Sequence, residues 1–97
     1  MKQPEECQSM AEVRAGVDAL DEQIVVLLAT RFRFMVAAAR IKPERSHVRD
    51  EERKAAVLDH VRSIAITSEA PADLIVRLYD QLVEASIQYE FEEFDAR

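Results

Sequence analysis

Apolar residues recur through the first half of the chain at alternating steps of three and four: Met10, Val13, Val17, Leu20, Ile24, Leu27, Phe34, Ala38 and Ile41, with Arg31 on the same stripe. That spacing marks one face of an α-helix sustained over four heptads. Ser9-Met10-Ala11-Glu12 supplies a start, because Ser-x-x-Glu is a capping box. Pro43 disfavours helical backbone at Lys42 and supplies the stop. A second stripe, Val25, Leu28, Phe32, Met35 and Ala39, is apolar only in the later half of the helix, so that half should be buried on more than one side. A second helix is predicted from near Asp50, which can cap it, to about Ser63, with Val57, Val61 and Ile64 as its buried edge. Thr67 to Ala70 reads as a turn, and Pro71 suits the first turn of a third helix. That helix should reach about Phe94 with Leu74, Ile75, Leu78, Leu82, Val83 and Ile87 apolar. Pro43 to Arg49 is a polar loop. The expectation is an all-α fold of three helices, one domain over residues 1–97.

The length of the first helix changes this picture. At ~1.5 Å per residue it should measure on the order of 50 Å. A compact domain of ~100 residues is only roughly 30–35 Å across. The helix overshoots its own domain, and the simplest remedy is a second copy packed along it, an intertwined homodimer. An elongated monomeric hairpin would leave the doubled stripe partly wet. A chain of 97 residues buries a modest core alone, which also favours association.

Composition narrows the function. One glycine and three prolines leave few of the turns an all-β fold needs. A net charge of −6 argues against a nucleic-acid partner, since phosphate binding needs a positive field. No apolar run approaches a membrane span. The opening Met1-Lys2-Gln3-Pro4-Glu5-Glu6 has no apolar stretch of signal-peptide length. Cys7 has no second cysteine to pair with. A cytoplasmic protein is expected. No Cys/His cluster suggests zinc, no glycine-rich loop suggests a phosphate cradle, and no Ser–His–Asp order is recognisable. His47 and His60 show no ligand spacing. Neither cofactor nor metal is expected.

The chemistry should lie with polar residues on apolar stripes. Lys42 follows Arg31 by 11 residues, only about 20° further around the helix and roughly 16 Å along it. Two long cationic side chains pointing the same way can converge on one small anion. Arg53 falls in the first turn of helix 2. Ser86 and Glu90 are i and i+4 on helix 3, beside Val83. The commoner fate of an arginine on an apolar stripe is to snorkel or to meet a carboxylate, for which Glu51, Glu52 and Glu84 are available. The acidic tail Glu90-Phe91-Glu92-Glu93-Phe94-Asp95 reads by default as a solvated helix end. Spacing alone stops at a helical dimer with buried cations.

Arg14-x-x-Val17-Asp18-x-Leu20-Asp21-x-x-Ile24-x-x-Leu27-Leu28-x-x-Arg31 resembles the first-helix signature of the all-helical chorismate mutases. The resemblance continues through Lys42, Val48-Arg49-Asp50-x-x-Arg53 and Ser86-x-x-x-Glu90, covering nearly the whole chain. The opening, Met1-Lys2-x-Pro4-Glu5-x-Cys7, and the short Lys42-to-Arg53 interval look more like the isochorismate pyruvate lyase branch, whose members commonly retain some mutase activity. The resemblance implies a dimer with two equivalent sites built from both chains. Arg14 would serve the partner's site, and Arg31, Lys42, Arg53, Ser86 and Glu90 their own. The independent geometry agrees: Arg14 is about 25 Å of helix from Arg31 and points roughly 100° away.

The implied reaction, chorismate to prephenate, is a unimolecular rearrangement that needs no nucleophile, metal or cofactor. The protein must hold a folded dicarboxylate and stabilise charge growing on its ether oxygen. Arg14 and Arg31 suit the carboxylates. Lys42 suits the ether oxygen, Arg53 serves both tasks, and Asp50 and Ser86 give supporting polar contacts. The lyase reaction, isochorismate to salicylate and pyruvate, uses the same cationic pocket with an added hydrogen transfer. Two positions depart from the mutase pattern. Glu90 stands where bacterial members usually have glutamine, and as in the fungal mutases it would have to be protonated to donate to the ether oxygen. Lys54 stands where a glutamate normally holds the substrate hydroxyl. Those departures favour a third reading, an inactive helical dimerisation or regulatory module.

Overall fold

A computed structural model describes residues 2–97; Met1, the first residue of the opening motif, lies outside the described residues. Among these there are three α-helices, α1 (Met10–Ile41), α2 (Glu51–Thr67) and α3 (Ala72–Asp95), two short 3-10 turns at Pro4–Glu6 and Arg45–His47, and no strand. The fold is all-α, as the periodicity required. No helix among the described residues is long and apolar enough to cross a membrane.

The chain divides into two compact units, one ending at Arg33 and one running from Phe34 to Arg97. In the first, Ser9 starts α1: its Oγ accepts from the Glu12 amide at 3.2 Å and donates to the Glu12 carboxylate. That carboxylate accepts from the Gln8 amide at 3.4 Å and pairs with Lys2, so it reaches one residue further back than a simple capping box. The stripe of this unit lies open. Met10, Val17, Leu20, Ile24 and Leu27 are all exposed, Leu27 at 69%.

The second unit has a core of Val48, Val83 and Ile87, against which Val57, Tyr79, Phe91 and Phe94 pack. Val48 anchors the connection between α1 and α2, which is therefore not wholly polar. Phe91 and Phe94 belong to the tail expected to be a solvated helix end. They occur on the inward side of α3, so the tail is a packed part of the fold, with Glu90 buried and Glu92 and Asp95 exposed.

α2 begins as predicted, with the Asp50 carboxylate accepting from the Arg53 amide at 3.0 Å. It ends later than predicted, at Thr67. Its buried edge is Val57, Val61 and Ala65, while Ile64 is exposed. The stop is a Schellman motif: Ala70 N–H donates to Ala65 O at 2.8 Å and Glu69 N–H to Ile66 O at 3.1 Å. The residue such a motif turns through adopts left-handed backbone, usually glycine. Here it is Glu69, at φ 58°, and nothing in its side chain announces the role. Pro71 caps α3 rather than occupying its first turn.

Candidate functional site

Ser86 and Glu90 are the two buried polar residues of the second unit, at 3% and 4% exposure. They are one turn apart on α3, at one edge of the arc whose centre is Val83 and Ile87. A carboxylate taken out of water needs a partner, and Glu90 has one. The Lys42 ammonium donates to Glu90 Oε2 at 2.7 Å. Lys42 is half-buried and lies immediately after α1, its amide donating to Ala38 O at 2.9 Å. The Ser86 hydroxyl donates to Leu82 O at 2.7 Å, back along its own helix.

Asp50 and Arg53 are joined through the α2 cap, and the Arg53 side chain is exposed. Thus the fold brings Lys42 and Glu90 into contact and holds Asp50 next to Arg53. Arg14 and Arg31 belong to the first unit, where α1 leaves Arg14 exposed and Arg31 half-buried. Among the described residues no group of histidine, cysteine and carboxylate side chains is arranged to hold a metal ion.

Lys54 is not at Glu90. It shares the α3-facing stripe of α2 with Val57, Val61 and Ala65, so its ammonium meets Asp80 at 2.8 Å and Glu84 at 2.9 Å. Glu84 also takes the Arg49 guanidinium bidentately, at 2.8 and 3.1 Å. Arg49, followed by Lys54, holds the Glu84 carboxyl down at about 2 against the tendency of burial to raise it. Glu84 in turn keeps the Arg49 proton more tightly bound than usual, and Asp80, followed by Glu84, does the same for Lys54. Asp80 and Glu84 lie at the opposite edge of the buried arc from Ser86 and Glu90. This network ties α2 to α3 and leaves the Glu90 carboxylate to Lys42.

Contacts of two further arginines were invisible in the sequence because they join residues about 46 to 58 positions apart. Arg45 donates to Asp95 at 2.9 and 3.2 Å and sits over the Phe91 ring at 4.4 Å. Arg97, held over its near neighbour Phe94 at 3.7 Å, donates to Ala39 O in the last turn of α1 and to Lys42 O and Pro43 O just after it. The alternation of Phe91, Phe94 and Asp95 on one side of α3 was the available signal that its last turns pack against something.

Comparison with known proteins follows the same lines. The family model described as chorismate mutase type II matches residues 13–91, a span that includes Arg14, Arg31, Lys42, Asp50, Arg53, Ser86 and Glu90. Isochorismate pyruvate lyase of Pseudomonas aeruginosa is 31% identical over 83 residues, which is 86% of this chain and 82% of that protein. An all-α chain, with that match over most of its length, belongs to the chorismate mutase type II family.

Proposed function

We propose that this protein is a chorismate mutase that works as a homodimer without a cofactor. The observation that carries the reading is the Lys42–Glu90 contact, a cation and a nearly inaccessible carboxylate held 2.7 Å apart beside Ser86. In this reading, the chain's own Arg31 and the partner subunit's Arg14 clamp the two substrate carboxylates. Lys42 leaves Glu90 for the ether oxygen as the C–O bond breaks and the new C–C bond forms. Arg53 adds positive charge, and Asp50 and Ser86 orient polar groups around the ring. All bond changes stay within one molecule, so position and fixed charge are the whole of the catalysis.

The dimer part of the proposal is supported by the open stripe of α1. Leu20, Ile24, Leu27 and Phe34 are each about half exposed or more, Phe34 at 67%. A contiguous apolar face of this kind marks an interface. Fully burying such a side chain contributes about 1.5–3 kcal/mol, and a two-fold interface counts each one twice. Even at half that value the gain falls in the range of the ~4–15 kcal/mol that association costs. The chain then acts as one domain whose first unit is completed by a second copy.

A second reading is favoured by the Pseudomonas relative, named as an isochorismate pyruvate lyase; Lys54, engaged with Asp80 and Glu84 where the mutase pattern has a hydroxyl-binding glutamate, weighs against the mutase without favouring the lyase. The deciding experiment incubates the purified protein separately with chorismate and isochorismate and identifies the products. Prephenate from chorismate supports the first reading. Salicylate with pyruvate from isochorismate, at a much higher kcat/KM, replaces it with the second. Turnover of neither refutes both and leaves a helical dimerisation module.

A further inference from the structure

A helix leaves its last four carbonyl groups without partners inside the helix, and the negative end of its dipole lies there. In α1 the Ala38 carbonyl accepts from the Lys42 amide, and one guanidinium from beyond the end of α3 reaches two carbonyls of the last turn, Ala39 and Arg40, and those of two residues just after it, Lys42 and Pro43. Arg97 Nη1 donates to Ala39 O at 3.1 Å and to Lys42 O at 2.7 Å, and Nη2 donates to Pro43 O at 3.3 Å. A longer contact to Arg40 O, 3.5 Å, completes the set. The guanidinium is itself fixed from the other side by the Phe94 ring at 3.7 Å, and the Arg97 amide donates to Phe94 O.

The shortest of these bonds is to Lys42. Its amide is held by Ala38 O, its carbonyl by Arg97 and its ammonium by Glu90. Two of these three restraints come from α3 and the residues just after it. They behave differently when the ammonium is drawn to a ligand: the Glu90 contact is given up, whereas the Arg97 contact stays. Lysine has a long, flexible stem, so once released from Glu90 its reach is set by where its backbone is anchored. The geometry points to Arg97 as a positioning residue for Lys42, holding its backbone in place while the ammonium changes partner. This rests on the role proposed above for Lys42.

The test uses Arg97→Ala and Arg97→Lys in the full-length protein, with Tm measured for each. Misplacement by about 1 Å typically costs up to ~10²-fold in rate. Arg97→Ala should lower kcat about tenfold with KM changed by less than about twofold. Arg97→Lys, which keeps the charge but not the planar fork, should recover part of the loss. In a Lys42→Ala background, Arg97→Ala should lower kcat no further, because its effect runs through Lys42. Independently of activity, the 15N signal of the Lys42 ammonium should broaden or shift in Arg97→Ala and return toward the wild-type position in Arg97→Lys. A lowered Tm with unchanged kcat and an unchanged Lys42 signal would make Arg97 a helix cap only. Equal losses of kcat with and without Lys42, or variants that do not fold at all, would also overturn the proposal. If the wild type turns over neither substrate, the assigned function fails by itself, and the Lys42 signal still decides the role of Arg97.

Discussion

The two units of this chain use similar helical sequence to different ends. From Phe34 to Arg97 a core forms, with Val48, Val83 and Ile87 at its centre and Phe91 and Phe94 extending it, while Phe34, Ile41 and Leu78 stay exposed. The polar residues are paired as well, Lys42 with Glu90, Lys54 with Asp80 and Glu84, and Arg45 with Asp95. Up to Arg33 polar residues pair too, as Glu12 does with Ser9 and Lys2, but no such core forms. The apolar stripe is as regular, yet Ile24 is 51% exposed and Leu27 69%. A regular stripe specifies a surface that wants covering; it does not specify what covers it. In the second unit α2 and α3 cover each other. In the first, a second copy is the occupant proposed here.

The largest effect should come from placing a charge on the open stripe. Leu27→Asp should convert the dimer to monomer at micromolar concentration and abolish turnover, read by sedimentation and product formation. For an isolated exposed leucine the same change would be near neutral, so an active, unaltered variant would end the proposed contrast between the units.

Glu90→Gln probes the buried pair of the second unit. It keeps the shape and removes the charge that competes with substrate for Lys42. At pH 7.5 its kcat/KM should match or exceed the wild type. A loss of tenfold or more would mean that the carboxylate, rather than a neutral donor, is what the reaction uses.

Acid should loosen the second unit through Glu84. Its carboxyl is held at about 2 by Arg49 and Lys54, below the ~4.3 of a free glutamate. A lowered folded-state value means that the stabilisation is present above the unfolded value and is lost as pH falls toward about 2. Wild-type Tm should therefore fall below about pH 4.5, and Glu84→Gln should remove part of that slope. Identical slopes would show that the network adds no pH-dependent stability.

The smallest effect concerns the α2–α3 turn. Glu69 carries left-handed backbone, which disfavours any side chain with a Cβ by roughly 1–2 kcal/mol. Glu69→Gly relieves it at some cost in chain entropy and should stabilise the protein by about 0.5–1 kcal/mol, a Tm rise of a few degrees. No rise would mean that the Glu69 side chain offsets the strain.

The start of α1 at Ser9, its end before Pro43 and the start of α2 at Asp50 were legible in the sequence because each depends on residues within a few positions of the boundary. The end of α2 was not, because Glu69 occupies the place of the expected glycine. Of the candidate site, Ser86 and Glu90 could be placed on one face from their spacing alone. Their burial and the reach of Lys42 across 48 residues could not.

By itself the sequence determined an all-α chain, the long stripe of α1 and the set of cations and carboxylates that bear on function. Periodicity and capping are local, and they act within a turn or two of helix. The tertiary structure decided the pairings. Lys42 meets Glu90, Lys54 turns to Asp80 and Glu84, and Arg97 closes the end of α1. Any of several carboxylates could have taken each cation. Which one does depends on the rotation of α2 and α3 about their shared core, and that rotation is set by packing between residues distant in the chain.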